Sequence, residues 1–133
     1  MNPKQAGILV VHQVPLVRQQ IASIFAAEGL NKVTEVGSPE EALQLLETKP
    51  CHLVVSDVHF PKGGALDFLK KVRAHSFPRV RKIGFIVLTA DSTKENIEAL
   101  IGAGADDYIL KPLTPNYISS RITSLLMKIS ADQ

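Results

Sequence analysis

The sequence is poor in cysteine and in aromatic residues. Cys51 is the only cysteine, tryptophan is absent, and aromatic residues make up 5% of the 133 positions. A single thiol cannot form an internal disulfide, which excludes a disulfide-stapled fold and favours a reducing compartment. The sequence also lacks the roughly 20 consecutive apolar residues of a membrane span and the apolar core of a signal peptide. We therefore expect a cytoplasmic protein that has no membrane partner.

The chain has little excess of either charge, with 15 Lys and Arg residues, 13 Asp and Glu residues and a formal net charge of +2. The basic residues are dispersed, so we expect no direct nucleic-acid binding. An apolar content of 45% is enough for a hydrophobic core and argues against disorder. The length predicts one domain that spans residues 1–133.

Short apolar runs alternate with amphipathic stretches along the chain. Uniformly apolar strands separated by helices predict a parallel sheet that is covered on both faces. Right-handed crossovers then give an α/β, three-layer, doubly wound (βα)5 fold with five parallel strands. Gly29 and Gly104 are predicted to end the first and fourth helices. The predicted strands are 7–11, 32–36, 53–56, 83–88 and 108–110; the predicted helices are 16–28, 39–48, 65–74, 92–103 and 115–129; residues 76–82 are predicted to be a polar, basic loop.

Three side chains with useful chemistry fall where predicted strands end. Asp57 ends the run HLVVSD, Thr89 lies in FIVLTA, and Lys111 lies in YILKP. Each alone has an ordinary explanation, because Asp often caps turns and Thr often packs in strands. All three, however, are expected at one edge of a parallel sheet, where such folds bind ligands. A carboxylate attacks phosphorus well when nearby donors neutralise the developing charge, so the three residues predict a phosphoryl-acceptor site.

Five motifs follow one another along the chain: ILVV with residues 12–13, Arg18 in the first helix, VVSDVHFPKGG, FIVLTA and GADDYILKP. Together they resemble the response-regulator receiver domain, the flavodoxin-like module of two-component and phosphorelay signalling, over essentially the full length. The resemblance implies that Asp57 accepts a phosphoryl group from a histidine kinase or phosphotransfer protein. It also implies that Thr89 and Lys111 bind this group, that Tyr108 reorients on activation, and that the peptide bond before Pro112 is cis.

The chain departs from that family directly after the first strand. The family has two acidic residues there, which hold Mg²⁺ together with the aspartate, whereas this chain has His12 and Gln13. The remaining candidate ligands are Asp57, the neutral amide oxygen of Gln13 and the backbone carbonyl of His59. Mg²⁺ prefers charged oxygen ligands, so losing two carboxylates is expected to weaken it by one to several decades, at roughly 1.4 kcal/mol per decade. Mg²⁺ is therefore predicted to be a weak or absent cofactor.

The two histidines near Asp57 have several interpretations. His12, Asp57 and His59 would form a transition-metal site if they lay together, since imidazole suits zinc, nickel or copper better than magnesium. Alternatively, a protonated His12 would stand in part for the missing cation. The simplest interpretation makes His12 a hydrogen-bonded filler and His59 an exposed loop side chain.

Two functions stay open, and neither makes the chain an enzyme. One is a receiver that accepts a phosphoryl group on Asp57 and switches contacts with a downstream protein or a fused output domain. The other is a phosphorylation-independent pseudo-receiver that serves as a protein-interaction module. A flavodoxin-like enzyme that binds a nucleotide or flavin is disfavoured, because no Gly-rich phosphate loop follows the first strand. Monomer and homodimer both stay open, and Asp106 and Asp107 are expected to pair with Arg121.

Overall fold

A computed structural model describes residues 2–131 as one parallel sheet with helices on both of its faces. A short 3₁₀ turn at Pro3–Gln5 precedes the first strand. The strands are β1 (Ile8–Val11), β2 (Val33–Val36), β3 (Leu53–Asp57), β4 (Gly84–Thr89) and β5 (Asp107–Leu110). The helices are α1 (Pro15–Ala27), α2 (Pro39–Thr48), α3 (Ala65–Arg73), α4 (Pro78–Arg81), α5 (Lys94–Gly102) and α6 (Pro115–Ala131).

The five strands are all parallel and run in the order β2-β1-β3-β4-β5. The predicted doubly wound (βα)5 fold is therefore confirmed. The chain leaves β1 towards β2 on one side and later returns to place β3 on the other side. This reversal opens a crevice beyond the carboxyl ends of β1 and β3, which is where doubly wound sheets bind ligands.

The sheet separates two apolar cores. Side chains alternate along β1, with Ile8 and Val10 packed in one core and Leu9 and Val11 in the other. Helices α1 and α6 cover the first face, whereas α2, α3, α4 and α5 cover the second. Burial on both faces explains why β1, β3 and β4 are continuous apolar runs in the sequence.

The helix ends agree with the sequence signals to within two residues. The Ser38 hydroxyl accepts a hydrogen bond from the Glu41 amide, with Pro39 as the first residue of α2. Gly29 and Gly104 follow α1 and α5 with φ of 81° and 108°, the left-handed conformation that favours glycine. These two predicted helix stops are confirmed.

The predicted loop at 76–82 is wrong in part, because it contains the one-turn helix α4. Val80 is buried, and Arg79 donates hydrogen bonds of 2.5 Å to the carbonyls of Leu46 and Glu47 near the end of α2. Two large apolar residues, Phe77 and Val80, in a short segment of mostly polar residues give no periodic signal, so only the tertiary contacts reveal this turn. Within residues 2–131, no helix combines the length and apolar character needed to cross a membrane.

Candidate functional site

Asp57 is the centre of the site at the carboxyl edge of the sheet. It is the last residue of β3, and only 5% of its surface is exposed. The Lys111 ammonium donates to Asp57 Oδ1 over 2.5 Å, although the two residues are 54 positions apart. Since a carboxylate buried without a partner is costly, the lysine accounts for the stable placement of a charge here.

Thr89 and Lys111 are brought to the same edge by the pairing of β4 with β5. The register places Asp57 beside Leu88, so Thr89 lies one residue beyond it. The Lys111 amide donates to the Thr89 carbonyl over 2.9 Å, and the Lys111–Pro112 peptide is cis, as the resemblance implied. The Thr89 side chain is buried, and its hydroxyl oxygen accepts from the Asp91 amide over 3.0 Å.

His12 lies against the other oxygen of the aspartate. Its Nε2 is 3.5 Å from Asp57 Oδ2, and its Nδ1 accepts a hydrogen bond of 3.1 Å from the Val14 amide. Burial lowers the pKa of the His12 imidazole below its usual value; nearby Lys111 and Arg18 lower it too, while Asp57 opposes them. The hydrogen bond to the Val14 amide agrees with the interpretation of His12 as a hydrogen-bonded side chain. The lowered pKa disfavours a protonated stand-in for a cation, and that interpretation stays a prediction.

Arg18 in α1 holds the backbone of His12 through a hydrogen bond, a role that the sequence did not predict. Its Nη1 donates to the His12 carbonyl over 2.7 Å, and its Nε is 3.8 Å from Glu35 Oε1. Asn96 in α5 was also missed. Its amide donates to the Asp91 carbonyl over 2.9 Å and is 3.5 Å from Thr89 Oγ1. The hydrogen bonds of both residues reach backbone or side-chain groups five to seven positions away, across the loops after β1 and β4, whose shape has no periodic sequence signal.

The other candidate site residues are less enclosed. Gln13 and His59 are exposed, and Tyr108 on β5 is half-buried. In the part of the chain that the structure describes, no group of three or more His, Cys, Asp or Glu side chains is arranged to hold a metal ion. The transition-metal site of His12, Asp57 and His59 is therefore wrong.

The residues present also fit Mg²⁺ poorly. Asp57 is the central carboxylate of the site, and nitrogen atoms lie 2.5 Å and 3.5 Å from its two oxygens. Mg²⁺ binds best where charged oxygens complete an octahedron. Gln13 and the His59 carbonyl would add only neutral oxygens, so this donor set does not match the ion.

Asp106 and Asp107, at the start of β5, each form an ion pair, and one of the two pairs differs from the expectation. Arg121 of α6 pairs with Asp107, as predicted. Asp106 instead pairs with Arg73 of α3, whose Nη2 is 3.2 Å from Oδ2. The predicted pair between Asp106 and Arg121 is wrong, because successive side chains near a strand point to opposite faces of the sheet.

A family model for the response regulator receiver domain matches residues 8–123. The chain belongs to this family. The predicted receiver domain of a two-component response regulator is thus confirmed, and Asp57, Thr89 and Lys111 occupy the edge of the sheet where that resemblance put its functional residues.

Two curated relatives show how far the likeness extends. A probable chemotaxis protein CheY of Rhizobium etli is 27% identical over 118 residues, which are 89% of this chain and 90% of the relative. The phosphate regulon transcriptional regulatory protein PhoB of Escherichia coli is 30% identical over 123 residues. That match covers 92% of this receiver domain but 52% of PhoB, so the chain spans about half of that relative.

Solved structures agree on the fold. A CheY-like receiver domain protein from Methanospirillum hungatei has a TM-score of 0.85 at 24% identity, covering 97% of this chain and 99% of its own. The chemotaxis response regulator CheY4 of Vibrio cholerae has a TM-score of 0.83 at 22% identity, covering 91% and 98%. At these identities the likeness shows the fold alone.

Proposed function

We propose that this receiver domain accepts a phosphoryl group on Asp57 and thereby changes its contacts with other proteins. The observation that carries the proposal is the 2.5 Å contact between Lys111 Nζ and Asp57 Oδ1 in a nearly closed site. It supplies a nucleophilic carboxylate and a fixed positive charge for the transferred group. The Thr89 hydroxyl at the same edge adds a donor to that group.

The proposed transfer needs no group beyond a phosphodonor. One carboxylate oxygen of Asp57 forms the new bond to phosphorus, and the bond from phosphorus to the donor's leaving atom breaks. The leaving atom keeps the electron pair, and the product is an acyl phosphate on Asp57. Lys111 offsets the charge on the phosphoryl oxygens, which is the main task of a protein in such transfers.

The partners in this proposal are proteins. A histidine kinase or phosphotransfer protein supplies the group, and a downstream target or a fused output domain responds to it. The added negative charge changes the local electrostatics at the edge where half-buried Tyr108 lies, so a local event alters a recognition surface. In this scheme the domain acts through contacts, in the cytoplasm, and does not turn over a small molecule as an enzyme.

A second candidate function rests on a separate observation. His12 Nε2 lies 3.5 Å from Asp57 Oδ2, and the site fits Mg²⁺ poorly. Both features favour a phosphorylation-independent module, whose partners recognise the one surface that the unmodified domain presents. In that case Asp57 and Lys111 form a structural ion pair, and Asp57→Asn changes partner binding only slightly.

Intact mass spectrometry after incubation with a small phosphodonor separates the two functions. Asp57→Asn is the test variant, and Asp67→Asn, an exposed carboxylate on α3, is the matched control. Phosphoryl acceptance predicts a gain of about 80 Da in the wild type and in Asp67→Asn, and none in Asp57→Asn. If the folded wild type gains no mass from a small donor or from a histidine kinase, phosphoryl acceptance is wrong and the second candidate stands.

A further inference from the structure

The charges around Asp57 are balanced without a metal ion. The aspartate carries one negative charge, and the Lys111 ammonium at 2.5 Å carries one positive charge. The next ion pair, between Arg18 and Glu35 at 3.8 Å, is also balanced. A divalent cation that enters this site would meet one carboxylate already paired with a cation and would leave an excess of two positive charges. Electrostatic attraction for such an ion is therefore weak.

The His12 ring lies beside the second oxygen of Asp57, at a distance longer than an ordinary hydrogen bond. Because His12 Nδ1 accepts a hydrogen bond from the Val14 amide, that nitrogen carries no proton. The proton of the neutral ring is then on Nε2, the atom that lies 3.5 Å from Asp57 Oδ2. A metal ion bound to Oδ2 would lie on the side of the aspartate where this ring is packed, so the imidazole and the ion compete for the same space.

Two hydrogen bonds hold His12 in place, one at its ring and one at its backbone carbonyl. The Val14 amide holds the ring at Nδ1, and Arg18 holds the backbone carbonyl over 2.7 Å. Only 7% of the His12 surface is exposed. Turning the ring away from Asp57 would break the part-buried hydrogen bond from the Val14 amide, which contributes about 1 kcal/mol.

We propose that His12 replaces the divalent cation of this site: its imidazole fills the space beside Asp57 Oδ2, opposite Lys111, and makes the domain independent of Mg²⁺. His12 is in this sense a positioning residue. The inference goes beyond the proposed function in excluding the ion, and it rests on that function only where it concerns the rate of phosphoryl transfer.

The exclusion of the ion is tested by a Mg²⁺ titration followed by amide chemical shifts in NMR spectra. The comparison is the wild type against the double variant His12→Asp/Gln13→Asp, which puts three carboxylates at the site. We expect saturable binding to the double variant that is at least about tenfold tighter than to the wild type. If the double variant does not fold, the single variant Gln13→Asp takes its place, because position 13 is exposed and tolerates an added carboxylate. This variant keeps His12, so we expect it to bind Mg²⁺ no better than the wild type does. The proposal is overturned if the Mg²⁺ dissociation constant of the wild type is within tenfold of that of the double variant. If Gln13→Asp is used instead, tighter Mg²⁺ binding by that variant than by the wild type overturns it.

The positioning role is tested by phosphorylation rates with and without a chelator. We expect the wild-type rate to be unchanged by the chelator, His12→Ala to be slower by about tenfold or more, and His12→Gln to recover much of the rate through its amide donor. A wild type that is labelled only when Mg²⁺ is present refutes the role. A wild type that is never labelled refutes the proposed function instead, and the Mg²⁺ titration then decides the inference by itself.

Discussion

Replacing Arg73 with methionine tests how the chain holds the segments that lead into β4 and β5. Arg73 ends α3, and its guanidinium donates to three backbone carbonyls, one at the end of α4 and two in the loops before β4 and β5. The bonds reach Gly104 over 2.8 and 3.0 Å, Arg81 over 2.9 Å and Ile83 over 2.6 Å. A fourth partner, Asp106, lies 3.2 Å away and is partly exposed.

The expected cost follows from these partners. A hydrogen bond contributes about 1 kcal/mol net, so three carbonyls that lose their donor give about 3 kcal/mol. The ion pair with Asp106 adds at most about 1 kcal/mol, since its carboxylate is partly in water. Methionine keeps the apolar stem of Arg73, so packing changes little. For a chain of this size, about 3 to 4 °C per kcal/mol gives a fall in Tm of about 10 °C.

The assay is thermal and urea unfolding followed by circular dichroism. Lys71→Met is the matched control, because Lys71 is on the same helix and pairs with Asp67 over 3.2 Å while both side chains are more than half exposed. We expect the control to change stability by less than about 0.5 kcal/mol. If Arg73→Met lowers stability no more than Lys71→Met does, the three carbonyl contacts do not stabilise the fold and the reasoning is refuted.

Three further predictions concern stability. Ser38→Ala removes the hydroxyl that caps α2 and is expected to cost about 1 kcal/mol, to be checked by urea unfolding. Phe85→Ala empties a fully buried position of β4 and is expected to cost about 3 to 5 kcal/mol in the same assay, and a loss below 1 kcal/mol would contradict the packing. Burial and nearby Lys32 lower the pKa of His52, whose Nδ1 accepts from the Gly7 amide, so NMR titration should give a value below the ordinary 6.5. Because the unfolded chain then binds more protons, stability is expected to fall as pH drops from about 6.5 towards the folded pKa. His52→Gln should reduce this slope, and the remainder is expected from His12, whose pKa is also lowered.

Much of the fold follows from local pattern. Continuous apolar runs of four to six residues, separated by amphipathic helices, require a parallel sheet with both faces covered, and this arrangement was predicted in full. Helix α4 was missed because its stability comes from contacts between Arg79 and the end of α2, which are 32 or 33 residues away in the chain. The partner of Asp106 was also mispredicted, since neighbouring positions suggested Arg121 whereas the geometry of the sheet edge selects Arg73.

The sequence by itself determined the family, the sheet edge and the residues that gather there. Asp57, Thr89 and Lys111 follow or end strands, and parallel strands necessarily bring their carboxyl ends to one edge. Only the tertiary structure decided what His12 does. Its ring accepts a hydrogen bond from the Val14 amide and lies 3.5 Å from Asp57, and neither contact can be deduced from the residue type, because histidine can donate, accept or bind a metal. The protonation and partners of such a side chain depend on burial and on distances of a few ångströms, which exist only once the chain has folded.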